Sequence, residues 1–450
     1  MSMMTLTTAA QALGATARGE ASFTRVTTDS RQIQAGDLFV ALRGEKFDGH
    51  QFAQAALDAG AAAVMVDSRG VADLSPAIVV ADTRLALGQL AAYWRQQTPV
   101  RIIGITGSNG KTSVKEMLTA ILRVAVGDDA VLATQGNFNN DIGMPLTLLR
   151  LQRGHKYGVI EMGMNHAGEI AYLTQLAQPD VVLINNAGTA HLGMLGSVAA
   201  IAAAKGEILL GLGEAGVAVI NADDEFASLW RQAAGPHAVV DFGLHRATIV
   251  CGSYVAHADY SVVHITTPIM QLTLQLPVLG EHSVMNALAA TAAAMALGIS
   301  GDAIVAGLQG FKGVYGRLQR KPAVRGASVI DDSYNANPDS TRAAIQVLAA
   351  APGEKLLVLG DMGELGANAA ALHAEMGALA KQAGIDGLYA LGELSAHTVA
   401  AFGAGAQHFA NIDALTAALL PRLASGVTVL VKGSRFMQME RVVEILEEQA

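Results

Sequence analysis

The stretch Gly104-Ile105-Thr106-Gly107-Ser108-Asn109-Gly110-Lys111-Thr112-Ser113 closes an apolar run, residues 100–105, and opens a helical pattern. Strand, glycine-rich turn and helix in that order make a phosphate-binding loop. The glycines let backbone N–H groups converge on a polyphosphate, Lys111 brings a point charge, and the Thr112 hydroxyl is placed to ligate the magnesium of a nucleotide. The general pattern puts glycine at position 105, where Ile105 stands, so the match is to the variant Thr106-Gly107-x-x-Gly110-Lys111-Thr112. ATP or GTP is the expected ligand of Gly107, Ser108, Asn109, Gly110, Lys111, Thr112 and Ser113.

Around this loop the chain reads as three parts. Residues 23–80 mix short apolar runs (37–42, 61–66, 77–80) with a helix-like stretch at 52–59, which predicts a small α/β domain. A connecting helix at 83–97 stops at Thr98-Pro99. After the loop, strands at Tyr157–Glu161, 181–185 and Val217–Asn221 alternate with helices at 169–178 and 198–210. Such alternation predicts a parallel sheet covered on both faces. Residues 247–276 alternate without a helical period and predict antiparallel strands at one edge. Helices at 284–297 and 302–308 and a turn-rich linker at 310–316 follow. The last part repeats the alternation, with strands at Ser328–Asp332, 355–359, Gly387–Leu391 and 427–431 and helices at 341–350 and 437–448. That pattern is a doubly wound domain of its own. The expected fold is α/β in three domains, 1–83, 84–313 and 314–450: a small N-terminal α/β domain, a central phosphate-loop ATPase domain on a parallel sheet, and a Rossmann-like C-terminal domain.

Composition narrows the function. A chain of 450 residues with 51% hydrophobic and 15% charged residues supports several cores and is not a disordered protein. Its net charge of −9 argues against a general nucleic-acid binder. Cys251 is the single cysteine, so no intrachain disulfide or cysteine-based zinc site forms, which suits a reducing cytoplasm. Residues 1–18 lack the basic start and apolar centre of a signal peptide, and the stretch 287–299 is too short to span a bilayer. A cytoplasmic monomer without membrane or nucleic-acid partners is expected.

In an open parallel sheet ligands bind beyond the carboxyl ends of the strands. Glu161 ends one strand, His191 lies shortly past another, and Lys205 sits on the next helix. Thr112 and Glu161 could share one Mg²⁺, which prefers hard oxygen ligands. On residue type alone, Glu161 is either a site residue or a solvated strand-end carboxylate, His191 reads as a structural hydrogen-bonder and Lys205 as a solvated helix lysine.

Motifs across the whole chain then resemble the Mur ligases of peptidoglycan synthesis. The likeness is carried by Thr106 to Thr112, Gly136-Asn137-Phe138-Asn139-Asn140-Asp141-Ile142-Gly143, Glu161-Met162-Gly163, Ala190-His191-Leu192, Ala204-Lys205-Gly206-Glu207-Ile208, Gly280-Glu281-His282-Ser283-Val284-Met285-Asn286, Asp331-Asp332-Ser333-Tyr334-Asn335-Ala336-Asn337-Pro338, Leu359-Gly360-Asp361-Met362-Gly363-Glu364-Leu365 and Lys432-Gly433-Ser434-Arg435. The resemblance implies an ATP-dependent amide ligase working through an acyl phosphate, with Lys111, Glu161, His191 and Lys205 as its catalytic group. It implies two Mg²⁺ sites, one on Thr112 and Glu161 and the other on His191 and Lys205, the lysine as a carbamate made with CO₂. It further implies ATP contacts from Asn286, Arg317, Asp331 and Asn335. Substrate contacts are implied for Thr28, Asp29, Ser30, Arg31, Asp48, His50, Asn137, Asn139 and Asn140, and contacts to the acceptor for Lys432, Ser434 and Arg435.

The sequence departs from the family's usual pattern at Gly193, Met194 and Leu195 and at Ser283, which puts local loop contacts in question. It lacks the Asp-Asn-Pro-Arg segment of the diaminopimelate- and lysine-adding members. That absence points to the dipeptide-adding branch, whose substrates would be UDP-N-acetylmuramoyl-tripeptide and D-alanyl-D-alanine. Two rivals use the same loop. A folylpolyglutamate synthase-like or cyanophycin synthetase-like ligase would differ by substrate, and a nucleotide switch or transport ATPase would hydrolyse ATP without an amine acceptor.

Overall fold

The computed structural model describes residues 2–45, 47–69 and 73–447. The apolar run becomes the strand Arg101–Thr106, held in parallel between Tyr157–Glu161 and Val181–Ile184. Its side chains alternate between two cores. Ile102 packs into one with Leu87, Leu90 and Ile170, while Ile103 and Ile105 join Leu118, Ile121 and Leu288 in the other. A strand buried on both faces reads as a continuous hydrophobic run, which is why this one was legible.

The central sheet has nine strands in the order 271–276, 261–266, 250–256, 238–243, 217–221, 181–184, 101–106, 157–161, 131–133. The edge strands Val250–Ala256, Ser261–Thr266 and Gln271–Leu276 pair antiparallel, as the alternating run predicts. Val131–Ala133 and Ala238–Gly243 were not predicted; the first is three residues long and the second lies largely at intermediate exposure, so neither shows a clear apolar run. The alanine-rich helix Glu281–Ala296 is buried along most of its length, its small side chains allowing close approach to the sheet. The helix expected over 198–210 is α-helical only over Val198–Gly206 and tightens into a 3₁₀ turn, Glu207–Gly211.

The N-terminal five-stranded sheet runs 16–18, 77–80, 63–67, 37–40, 25–27 and is parallel except for the first strand. The predicted helix at 52–59 is a 3₁₀ turn, Gly49–Phe52, followed by Ala53–Asp58. The linking helix Thr83–Gln96 starts where the Asp82 carboxylate accepts from the N–H groups of Arg84 and Leu85.

The C-terminal six-stranded sheet runs 319–322, 328–332, 427–432, 354–360, 387–391, 406–409. Gln319–Pro322 and Ala406–Phe409 are edge strands that the sequence pattern did not reveal. The helix expected from 341 starts earlier, at Pro338, because Asn337 caps it in a capping box and proline suits the first helical position. The last helix is shorter than 437–448. Arg435–Met437 form a 3₁₀ turn, Gln438 takes a left-handed conformation (φ 50°), and the helix spans Glu440–Leu446; residue 448 lies outside the described residues.

Candidate active site

The phosphate loop turns at Gly110, which has φ +80° and caps the helix Lys111–Val126. A Cβ there would stand 2.4 Å from Asn286 Oδ1 and 2.5 Å from Asn185 Nδ2, so conformation and space both demand glycine. Asparagines hold the loop from outside. Asn186 Oδ1 accepts from Asn109 N at 2.8 Å, and Asn185 Nδ2 donates to Asn109 O and to Asn286 Oδ1, both at 2.9 Å. These two strand-end asparagines escaped the sequence reading, although their place just past Val181–Ile184 was a usable signal.

Lys111 Nζ donates to Gly107 O at 2.7 Å, folding the ammonium back over its own loop. Burial pulls its pKa below the usual lysine value; Glu161 opposes that shift and Arg317 adds to it. Thr112 Oγ1 donates to Glu161 Oε2 at 2.9 Å, and Asn139 Nδ2 donates to Glu161 Oε1 at 2.8 Å. Glu161 is only 2% exposed, which rules out the solvated strand-end alternative. Arg317 Nη2 donates to Thr112 Oγ1 at 3.2 Å, and its buried Nε has no partner among the described residues. A buried N–H without an acceptor is a donor available to an anion.

Lys205 is 2% exposed and is not the solvated lysine its residue type suggested. Burial, reinforced by the charge of Lys111, drives its pKa well below the ordinary value. His191 takes a left-handed conformation (φ 65°), and its Nδ1 lies 2.7 Å from Glu364 Oε2 of the C-terminal domain. No group of three or more His, Cys, Asp or Glu side chains forms a metal cluster among the described residues. The oxygens of Thr112 and Glu161 still fit a magnesium ion that takes its remaining ligands from phosphate and water.

The phosphate loop, Glu161, His191 and Arg317 line a cavity of about 1050 Å³ between the central and C-terminal domains, whereas the predicted site residues Gly107 and Lys205 are not among its lining residues. The structure brings to it Ser108 to Ser113, Asn137, Asn139, Asn140, Glu161, His191, Asn286, Arg317, Asn335, Lys432, Ser434 and Arg435. Asp331 is not among them. It is fully buried, accepts from Ser333 Oγ at 2.6 Å and pairs with Lys321, while Asp332 lines the cavity instead. Lys432 Nζ is taken up by Asp332 Oδ2 at 2.6 Å and Asn335 O at 2.9 Å, so it pins the loop between them. Arg435 is 57% exposed on that side, and its Nη1 pairs with Glu440 Oε1 at 2.8 Å. Tyr334 sits beside both arginines, with Arg317 4.4 Å and Arg435 5.9 Å from its ring centroid.

The N-terminal candidates do not line this cavity. Asp29 caps the turn Ser30–Gln32 and holds Arg31, which lowers the Asp29 pKa to about 2, and Thr28 and Ser30 flank it. His50 is 4% exposed; its Nδ1 meets Asp48 Oδ1 at 2.7 Å and its Nε2 accepts from Asp67 N at 3.0 Å. Both ring nitrogens are therefore occupied within the domain.

Three family models match the chain: "Mur ligase family, catalytic domain" over residues 22–95, "Mur ligase middle domain" over 105–294 and "Mur ligase, glutamate ligase domain" over 316–435. The UDP-N-acetylmuramoyl-tripeptide--D-alanyl-D-alanine ligase of Escherichia coli (strain K12) is 46% identical over 436 residues, covering 94% of this chain and 93% of that protein. A crystal structure of MurF from Acinetobacter baumannii superposes with a TM-score of 0.93 at 37% identity, covering 99% of each chain. MurF ligase from Thermotoga maritima, solved in complex with ADP, gives 0.84 at 28% identity, with 94% of this chain and 96% of that one covered.

Proposed function

The chain belongs to the Mur ligase family, and from that premise we propose that it joins D-alanyl-D-alanine to UDP-N-acetylmuramoyl-tripeptide, converting ATP to ADP and phosphate. The product, a UDP-muramoyl-pentapeptide, serves peptidoglycan and cell-wall synthesis. The observation that carries this reading is the single cavity in which the phosphate loop, the Thr112–Glu161 pair and Arg435 face one another. Such a cavity can hold a nucleotide on one wall and an anionic acceptor on the other.

The reaction must first bring two anions together. A carboxylate oxygen of the tripeptide attacks the γ-phosphorus of ATP, the bond to the bridging oxygen breaks, and ADP leaves an acyl phosphate. The amine of the dipeptide then attacks the acyl carbon, phosphate departs with the bonding electrons, and the amine proton goes to solvent or phosphate. Lys111, the loop N–H groups and Arg317 neutralise and align the phosphates. Thr112 and Glu161 would hold a magnesium ion, which supplies further charge neutralisation when bound.

On this reading Lys205, as a carbamate, and His191 would hold a second metal ion, which would add charge neutralisation when bound. A buried amine with a depressed pKa is neutral at lower pH than a solvated one, and a neutral amine can attack CO₂, losing a proton to give a carbamate. The carbamate would turn a cation into an oxygen donor. Residues 1–83, 84–313 and 314–450 divide the ligands among them, with the UDP part held through Thr28 to Arg31 and the loop of Asp48 and His50. On this reading the enzyme works as a monomer in the cytoplasm. No helix of the described residues is long and apolar enough to cross a membrane.

Product analysis by mass spectrometry tests the reading. The UDP-muramoyl-pentapeptide should accumulate with one ADP per product. Failure to form it, with joining of glutamate to a folate instead, would favour the related ligase activity.

A further inference from the structure

Two side chains of the C-terminal domain reach across to the central domain without a role in the scheme above. Asn337 caps the helix Pro338–Ala349, its Oδ1 accepting from Ser340 N at 2.9 Å, and Asp339 stands in the first turn. The cap leaves Asn337 Nδ2 free, and it donates to Asn109 Oδ1 of the phosphate loop at 2.8 Å. Asp339 Oδ2 accepts twice from Thr189, from the N–H at 2.7 Å and from the hydroxyl at 2.8 Å.

Thr189 belongs to the turn that leads to His191. Its neighbour Gly188 is shaped for the contact, since a Cβ there would stand 2.5 Å from Asp339 Oδ2. A charged acceptor taking two donors from one residue is a strong, directional contact. These three hydrogen bonds join residues of different domains, so the contact exists only in the docked arrangement.

The structure assigns Asp339, supported by Asn337, a positioning role in ligation: a latch that fixes the C-terminal domain over the phosphate loop and sets the turn ahead of His191. Arg435 and Ser434 ride on the same domain, so the latch also sets the distance between the acceptor side and the nucleotide. Bringing an amine onto an acyl phosphate requires that distance to be held closely. The catalytic meaning of the latch rests on the ligase reading, whereas the docking contact itself does not.

The test uses the full chain with Asp339→Ala, Thr189→Ala and the double substitution. Two quantities are measured: steady-state constants for all three substrates, and the radius of gyration by X-ray scattering with a non-hydrolysable ATP analogue, magnesium and the UDP-tripeptide. For Asp339→Ala, kcat should fall about tenfold or more, equivalent to ~1.4 kcal/mol. Affinity for the ATP analogue should stay within about twofold, and the double variant should be no more than about twofold worse than Asp339→Ala because the two residues share one interaction. The liganded variants should be more expanded than the liganded parent. Parent-like kcat with parent-like compaction would overturn the assignment. So would nucleotide affinity that falls in step with kcat, since Asp339 would then be a nucleotide ligand. Thr189→Ala approaches the contact from the other domain and keeps the test open if Asp339→Ala fails to fold. If the parent shows no acceptor-dependent turnover, the ligase reading fails, and the scattering comparison alone decides the latch.

Discussion

Thr112 and Glu161, 49 residues apart in sequence, meet at 2.9 Å where a helix begins and a strand ends. The carboxylate is buried, and it accepts side-chain hydrogen bonds from a hydroxyl and from the Asn139 amide, both neutral. A buried carboxylate answered by neutral donors beside a phosphate loop is a place prepared for a cation.

Replacing that carboxylate while keeping its shape isolates the charge. Glu161→Gln should raise the magnesium concentration needed for half-maximal activity by about tenfold or more, a magnitude typical of losing a group that tunes a metal site. Titration of activity against magnesium reads this out, and an unchanged curve would remove Glu161 from the metal site.

Lys205 gives a prediction with opposite signs for stability and activity. Its folded pKa lies below 10.5, so below pH 10.5 the unfolded chain binds a proton that the native state resists, and the buried lysine lowers stability there. In CO₂-depleted buffer at neutral pH, Lys205→Met should therefore melt at a higher temperature than the parent. On the ligase reading proposed above, the same residue as a carbamate would support catalysis. Lys205→Ala should lose activity and regain part of it with short carboxylates, and parent activity should rise with added bicarbonate. Full activity of Lys205→Ala would contradict the metal role.

His282 lines the cavity, and its pKa is lowered from 6.5 to about 4, by burial first and by the charge of Lys432 second. Between these values the unfolded state carries the extra proton, so stability falls as pH drops from 6.5 towards 4. Thermal melts of His282→Gln across that range should show a shallower slope than the parent. An identical slope would mean that other groups carry the acid sensitivity.

Lys432 and Asp332 form a buried pair, and burial raises the Asp332 pKa despite the lysine. Removing the cation strands the carboxylate, so Lys432→Ala should lose roughly 3–5 kcal/mol of stability by denaturant unfolding. Acidification should shrink the deficit, because a protonated Asp332 needs no counter-charge. Adding Asp332→Asn should recover part of the loss at neutral pH.

Much of this architecture was legible in residue order. The strand 101–106, the loop after it and the edge hairpins announced themselves because burial on two faces, glycine at a tight turn and alternation on one face each leave a local pattern. Glu161 and Thr112 were legible through their positions at the carboxyl end of the sheet. Short edge strands such as Val131–Ala133 left no such mark. Asp331 and Asp332 could not be told apart, because which neighbour faces a cavity depends on strand register; here Asp331 pairs with Lys321 and Asp332 with Lys432. The burial of Lys205 and the contacts of Asn337 and Asp339 were hidden for a related reason. They arise from packing between distant segments, and a polar residue on a helix looks the same in sequence whether its partner is water or another domain.

On the ligase reading, the phosphate loop serves to activate a carboxylate for an amine. Phosphate release measured with ATP, magnesium and UDP-N-acetylmuramoyl-tripeptide, with and without D-alanyl-D-alanine, tests it most directly. Sustained release that depends on the dipeptide and is abolished by Lys111→Ala is the predicted result. Steady release at the same rate without the dipeptide would contradict the account.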